Sequence, residues 1–125
     1  MSAPLVVTSY CPGGRDCQGK FLQLVLDGVE HLVFAPSNQH GYHSQILERF
    51  LDERGIACRW DGQALRVDHP GLKVVGGGRF RLEQAKGALE LWDNSQAYGR
   101  FDDAGIAEGL RAAAGPWSGL SVVIR

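Results

Sequence analysis

The stretch from Gly76 to Gly99 constrains this chain more than any other. Phe80-Arg81-Leu82-Glu83 and Ala88-Leu89-Glu90-Leu91-Trp92 alternate apolar and charged residues on either side of Lys86-Gly87. That alternation predicts a β-hairpin. At its open end the hairpin brings Gly76-Gly77-Gly78-Arg79 beside Ser95-Gln96-Ala97-Tyr98-Gly99. Three glycines followed by an arginine read as a loop of bare backbone N–H groups next to a planar cationic fork, a combination suited to an anion. The plainer reading is a hairpin between two ordinary glycine turns.

The rest of the chain supplies a sheet and two helices around that hairpin. Pro4 to Tyr10 is a β-type run, and Cys11 to Gly19 reads as a loop. Lys20 to Leu26 and Glu30 to Phe34 are apolar runs joined by Asp27-Gly28, a strong hairpin signal. Ser37 or Asn38 can cap a helix over Gln39 to Arg54, with Gly55 as its stop. Tyr42, Ile46, Leu47, Phe50 and Leu51 form its apolar stripe, and His43 falls at the centre of that stripe. Ile56 to Trp60 and Ala64 to Val67 flank Asp61-Gly62-Gln63 as a short hairpin. His69-Pro70-Gly71 is a turn, and Leu72 to Val75 is the strand leading into the glycines. Asp102 or Asp103 can cap a second helix over Ala104 to Ala114, stopped by Gly115-Pro116, and Leu120 to Ile124 is a last strand. The chain is predicted to be one α+β domain with a mixed, mainly antiparallel sheet of about six strands flanked by two α-helices.

Composition excludes several classes. The 125 residues carry a net charge of −1, which gives no basic footprint for nucleic acid or an anionic membrane. No apolar run approaches the roughly 20 residues of a membrane span, and Met1 to Val7 has no signal-peptide pattern. Three cysteines, Cys11, Cys17 and Cys58, read as reduced thiols of a cytoplasmic protein; a Cys11–Cys17 bridge across Pro12-Gly13-Gly14 is the alternative. His40 and His43 form an i, i+3 pair, but no third or fourth ligand stands at a metal-site spacing. No metal or cofactor is expected. Phosphate-loop, nucleophile-elbow, dinucleotide and Cys-x5-Arg signatures are missing from the sequence.

Tyr42-His43, Gly76-Gly77-Gly78-Arg79 and Ser95-x-Ala97-Tyr98-Gly99 together resemble the Janus/Ocnus family of small protein phosphohistidine phosphatases. The sixteen positions from Arg79 to Ser95 fit the family's spacing, and the resemblance runs from about Gly19 to Ile124. It implies a metal-independent hydrolase of N-linked phosphate, acting as a monomer on phosphohistidine-containing proteins or small phosphoramidates. His43 takes the place of the catalytic histidine, as general base or as nucleophile. Arg79 takes that of the arginine after the glycines, either binding phosphate or bracing the loop. Ser95 and the Ala97 backbone N–H take those of the phosphate contacts, with Gly99 in the same donor segment. The chain departs from the family in two places. Leu22, not lysine, follows Phe21, so Lys20 is the candidate for the phosphate-binding lysine. Cys58 to Leu72 adds a hairpin that reaches the rim of the site. Two further readings are a non-catalytic phosphate-binding module and an interaction protein without an anion site.

Overall fold

The computed structural model describes residues 5–39, 41–113 and 116–125. The expected strand start at Pro4, the His40–His43 pairing and the expected helix end at Ala114-Gly115 fall outside them. In chain order the elements are β1 (Val6–Ser9), β2 (Cys17–Leu26), β3 (Val29–Pro36), α1 (His43–Glu53), β4 (Cys58–Asp61), β5 (Ala64–Val67), β6 (Leu72–Glu83), β7 (Ala88–Trp92), α2 (Ile106–Ala112), a 3-10 turn (Pro116–Gly119) and β8 (Ser121–Ile124).

Six strands form one sheet in the order β1-β3-β2-β6-β7-β8. The four inner strands pair antiparallel, and β1 and β8 join parallel at the two edges. The β2–β3 turn uses Asp27 and Gly28 at φ 50° and 83°. Two left-handed residues in a two-residue loop match the twist of the flanking strands, as the Asp-Gly pair predicts. Among the described residues β4 and β5 pair only with each other, forming a separate two-stranded sheet.

Period-2 alternation divides the core into two layers. Phe21, Phe34, Phe80, Leu82, Leu89 and Leu91 face α2 and pack with Ile106, Leu110 and Trp117. Leu22, Leu24, Val33 and Ala35 face α1 and meet Ile46, Leu47, Phe50 and Leu51. β2 and β3 are therefore covered on both sides, which is why their sequences run apolar without a polar face.

α1 starts later than the sequence predicts. Tyr42 is still extended, at φ −132° and ψ 147°, and occupies the N-cap position. Ser37 donates its hydroxyl to the Gln18 carbonyl instead of capping a helix. Gln45 Oε1 reaches back to accept the Gly41 and Tyr42 amides at 3.0 and 3.2 Å, the return half of a capping box. At the other end Ile56 N–H donates to Leu51 O and Gly55 N–H to Asp52 O. That pair of bonds is a Schellman stop, with Gly55 at φ 69°.

Three other expectations need correction. β2 begins at Cys17, inside the segment read as a loop. Cys11 and Cys17 are joined as a disulfide with their Cα atoms 6.2 Å apart, a span a bridge accepts, so only Cys58 is a free thiol. Gly76 to Gly78 is not a loop. It lies within the twelve-residue strand β6, paired with Gln23, Leu22 and Phe21 of β2.

Candidate functional site

The glycines of β6 make room for a histidine. At Gly77 a Cβ atom would lie 2.6 Å from His43 Cδ2, 2.8 Å from its Nε2 and 2.7 Å from the Phe21 carbonyl oxygen. At Gly78 it would lie 2.5 Å from the Trp92 carbonyl oxygen and 2.9 Å from the Phe101 ring. The side-chain-free patch in the middle of the sheet lets the His43 ring settle on one face and Phe101 on the other. These backbones are part of the sheet ladder, and Gly77 N–H donates to Gly99 O at 3.0 Å. The glycine N–H groups are therefore not an anion cradle, as the sequence suggested. Their function is close approach.

His43 is the first residue of α1, 5% exposed, with Nε2 3.0 Å from the Gly78 carbonyl oxygen. A carbonyl only accepts, so in the neutral ring Nε2 carries the proton and Nδ1 the lone pair. Burial holds the imidazole below its ordinary value of 6.5, helped by the Lys20 ammonium and opposed by the Gly78 carbonyl and the Asp93 carboxylate. The helix N-terminus beside it also disfavours imidazolium. The result at neutral pH is an uncharged imidazole held in one orientation.

Lys20 and Arg79 stand directly opposite each other on β2 and β6. Both line the pocket that contains His43. Leu22 is fully buried in the α1 layer. Lys20, two residues along the same face, is the lysine that reaches the site. Its Nζ donates to the Gly41 carbonyl at 2.5 Å and lies 5.6 Å from the centre of the Tyr42 ring. Arg79 Nε pairs with Asp93 Oδ2 at 3.1 Å, and Arg79 is more than half exposed. Asp93 is left-handed at φ 72°, and its other carboxylate oxygen accepts the Asn94 amide at 2.9 Å. Arg79 thus braces the segment leading to Ser95 while its guanidinium stays open to the pocket.

Ser95 and Gly99 close a tight turn with two backbone bonds, Ser95 N–H to Gly99 O and Gly99 N–H to Ser95 O, at 3.0 and 2.8 Å. The Gly99 amide is spent there, which removes it from the expected set of anion donors; at φ 83° Gly99 shapes the turn. Ser95 is 3% exposed, and its Oγ accepts the Tyr98 amide at 3.1 Å. The hydroxyl proton remains free to point elsewhere. Among the described residues nothing accepts from the Gln96 or Ala97 amide, and both residues line the pocket. The His43 and Ser44 amides, first in α1, have no partner within the helix.

The structure therefore gathers Lys20, His43, Arg79, Ser95 and Ala97 around one pocket of about 960 Å3. Asp93, Asn94, Gln45 and Trp60 also line it, and the sequence reading named none of them for the site. Two local signals pointed to part of this set. Gln45 three residues after Tyr42 is half of a capping-box pattern, and Asp93-Asn94 before Ser95 is a turn dipeptide. Chemically, the pocket offers two cations, open backbone donors, one hydroxyl and one neutral imidazole. No protein-family model matches the chain, and neither does any curated protein.

Proposed function

We propose that the protein is a metal-independent protein histidine phosphatase that hydrolyses the P–N bond of phosphohistidine. The observation that carries this reading is the buried, neutral, carbonyl-oriented His43 in the same pocket as Lys20, Arg79 and the open amides after Ser95. Phosphoramidates need little beyond a held phosphoryl group and a delivered nucleophile. The Ala97 and Gln96 amides, Ser95 Oγ and Lys20 Nζ hold the phosphoryl oxygens in place, and Arg79 adds charge from the open side. His43 Nδ1 takes a proton from water as the water oxygen bonds to phosphorus. The P–N bond breaks, and the proton passes to the leaving nitrogen. Direct attack by Nδ1, with a phosphorylated His43 as intermediate, uses the same geometry.

In this reading the chain acts as a cytoplasmic monomer on phosphohistidine-containing proteins or small phosphoramidates. No helix among the described residues is long and apolar enough to cross a membrane. The Cys11–Cys17 bridge belongs to the α2 layer, across the sheet from the pocket. Neither cysteine lines the pocket, so reduction of the bridge in a cytoplasm is expected to leave the site in place.

The test is phosphate release from a phosphohistidine peptide without added metal, wild type beside His43→Ala. Equal release from both refutes the enzyme. One observation favours a second reading, a non-catalytic phosphate-binding module: both cations already have partners, Gly41 O and Asp93. Phosphopeptide binding that survives His43→Ala, with no turnover by wild type, selects that module.

A further inference from the structure

The pocket is larger than a phosphorylated side chain requires. About 960 Å3 lies at the top of the roughly 300–1,000 Å3 range of small-ligand clefts. One wall is formed by the β4–β5 hairpin, represented by Trp60, Gly62 and Gln63. Trp60 is 41% exposed and Tyr42 66%, and both of these exposed aromatics line the pocket.

The hairpin register shows which side faces in. Trp60 pairs with Leu65 and Cys58 with Val67, while Arg59 pairs with Arg66. Cys58, Leu65 and Val67 pack into the α1 layer, so Trp60 shares the helix-facing side and the two arginines take the other. The Trp60 indole N–H donates to Glu48 Oε2 on α1 at 2.6 Å. Burial pushes the neighbouring Cys58 thiol up, with further contributions from the Asp52 and Glu48 carboxylates. Trp60 therefore brings its indole to the pocket with the α1 carboxylate of Glu48 at its N–H edge, whereas the His43 end carries Lys20 and Arg79.

We propose that the β4–β5 hairpin is a specificity wall for a polypeptide: the phosphorylated side chain enters at His43, and a basic side chain a few residues away lies on the Trp60 indole beside Glu48. A guanidinium or ammonium over an indole face is attracted by the ring quadrupole, and the carboxylate adds charge. A small phosphoramidate reaches only the His43 end. The identity of the group at His43 rests on the phosphatase reading; the wall itself is tested by binding alone.

The probe is a peptide carrying a non-hydrolysable phosphoryl-triazole mimic of phosphohistidine. Arginine replaces alanine at each flanking position in turn, and binding to the full chain is followed by calorimetry. At one or more positions the arginine peptide is expected to bind wild type about tenfold tighter than the alanine peptide, a difference of about 1.4 kcal/mol. Trp60→Ala and Glu48→Gln are each expected to shrink that advantage to about threefold or less. Glu48→Gln keeps an acceptor for the indole N–H, so it preserves the wall's structure while removing its charge. The inference is overturned if wild type does not bind the peptide, if no position favours arginine, or if the advantage persists in both variants. Failure of the phosphatase reading shows separately, as tight binding of the hydrolysable peptide without phosphate release.

Discussion

Gly77→Ala is the sharpest perturbation of this site, because its cost follows from three distances. The new methyl would meet His43 Cδ2 and Nε2 at 2.6 and 2.8 Å and the Phe21 carbonyl at 2.7 Å. Gly77 is absent from the left-handed residues, so its strand conformation suits alanine and the cost is contact alone. Overpacking costs about 1–3 kcal/mol, and displacing the ring weakens its bond to Gly78 O by about 1 kcal/mol. The expected loss is about 2–4 kcal/mol, or about 10 °C in Tm for a domain of this size. Two of the three contacts are with the imidazole, so most of the penalty should vanish when the ring is gone. Urea melts of wild type, Gly77→Ala, His43→Ala and the double variant form a cycle that isolates the coupling. A coupling of at least about 1 kcal/mol is expected, with a remainder from the Phe21 carbonyl. Equal costs of Gly77→Ala with and without His43 would refute the reasoning.

Further expectations concern pH, the Ser95 turn and the arginine brace. His31 and His43 both have folded values held below the ordinary 6.5, mainly by burial, and His31 Nδ1 is buried with no hydrogen-bond partner among the described residues. As pH falls through about 6.5 the unfolded chain takes up protons before the folded one. Stability is therefore full above that value and declines below it; urea midpoints at pH 7.5 and 5.0 check the sign, and His31→Leu should flatten part of the slope. Ser95→Ala removes the acceptor of the Tyr98 amide and should cost about 1 kcal/mol in a thermal melt, together with a drop in phosphopeptide affinity read by calorimetry. Asp93→Asn tolerates the left-handed backbone at that position and releases Arg79 from its partner. Phosphate affinity should rise a few-fold, and a fall would make Asp93 a brace the site cannot lose.

Much of this was legible in the sequence because local chemistry and global fold agree. The Asp27-Gly28 turn, the alternation of Phe80 to Trp92 and the phase of Ile46 to Leu51 each specify one element, and the structure builds all three. Helical phase places His43 with the buried stripe. The glycines are ambiguous in the sequence for a physical reason: bare backbone suits an anion loop and a crowded strand equally, and only the sheet register shows which is meant. The α1 boundary is not legible because Ser37 and Asn38 are good caps by type, while the chain turns to Gln45 for its cap instead. Asp93 carries no pairing signal in the sequence because its partner, Arg79, becomes its neighbour only through the β6–β7 pairing.

The sheet order has a consequence for how the molecule breathes. β2 and β6 occupy the two central places, and β1 and β8 are the edges. Local opening begins where backbone bonds meet solvent, so amides of the edge strands should exchange with deuterium first and those of β2 and β6 last. Lys20 and Arg79 face each other across that innermost seam. A fluctuation that frays either margin is expected to leave their spacing unchanged, so the cationic pair should persist until β2 and β6 themselves part.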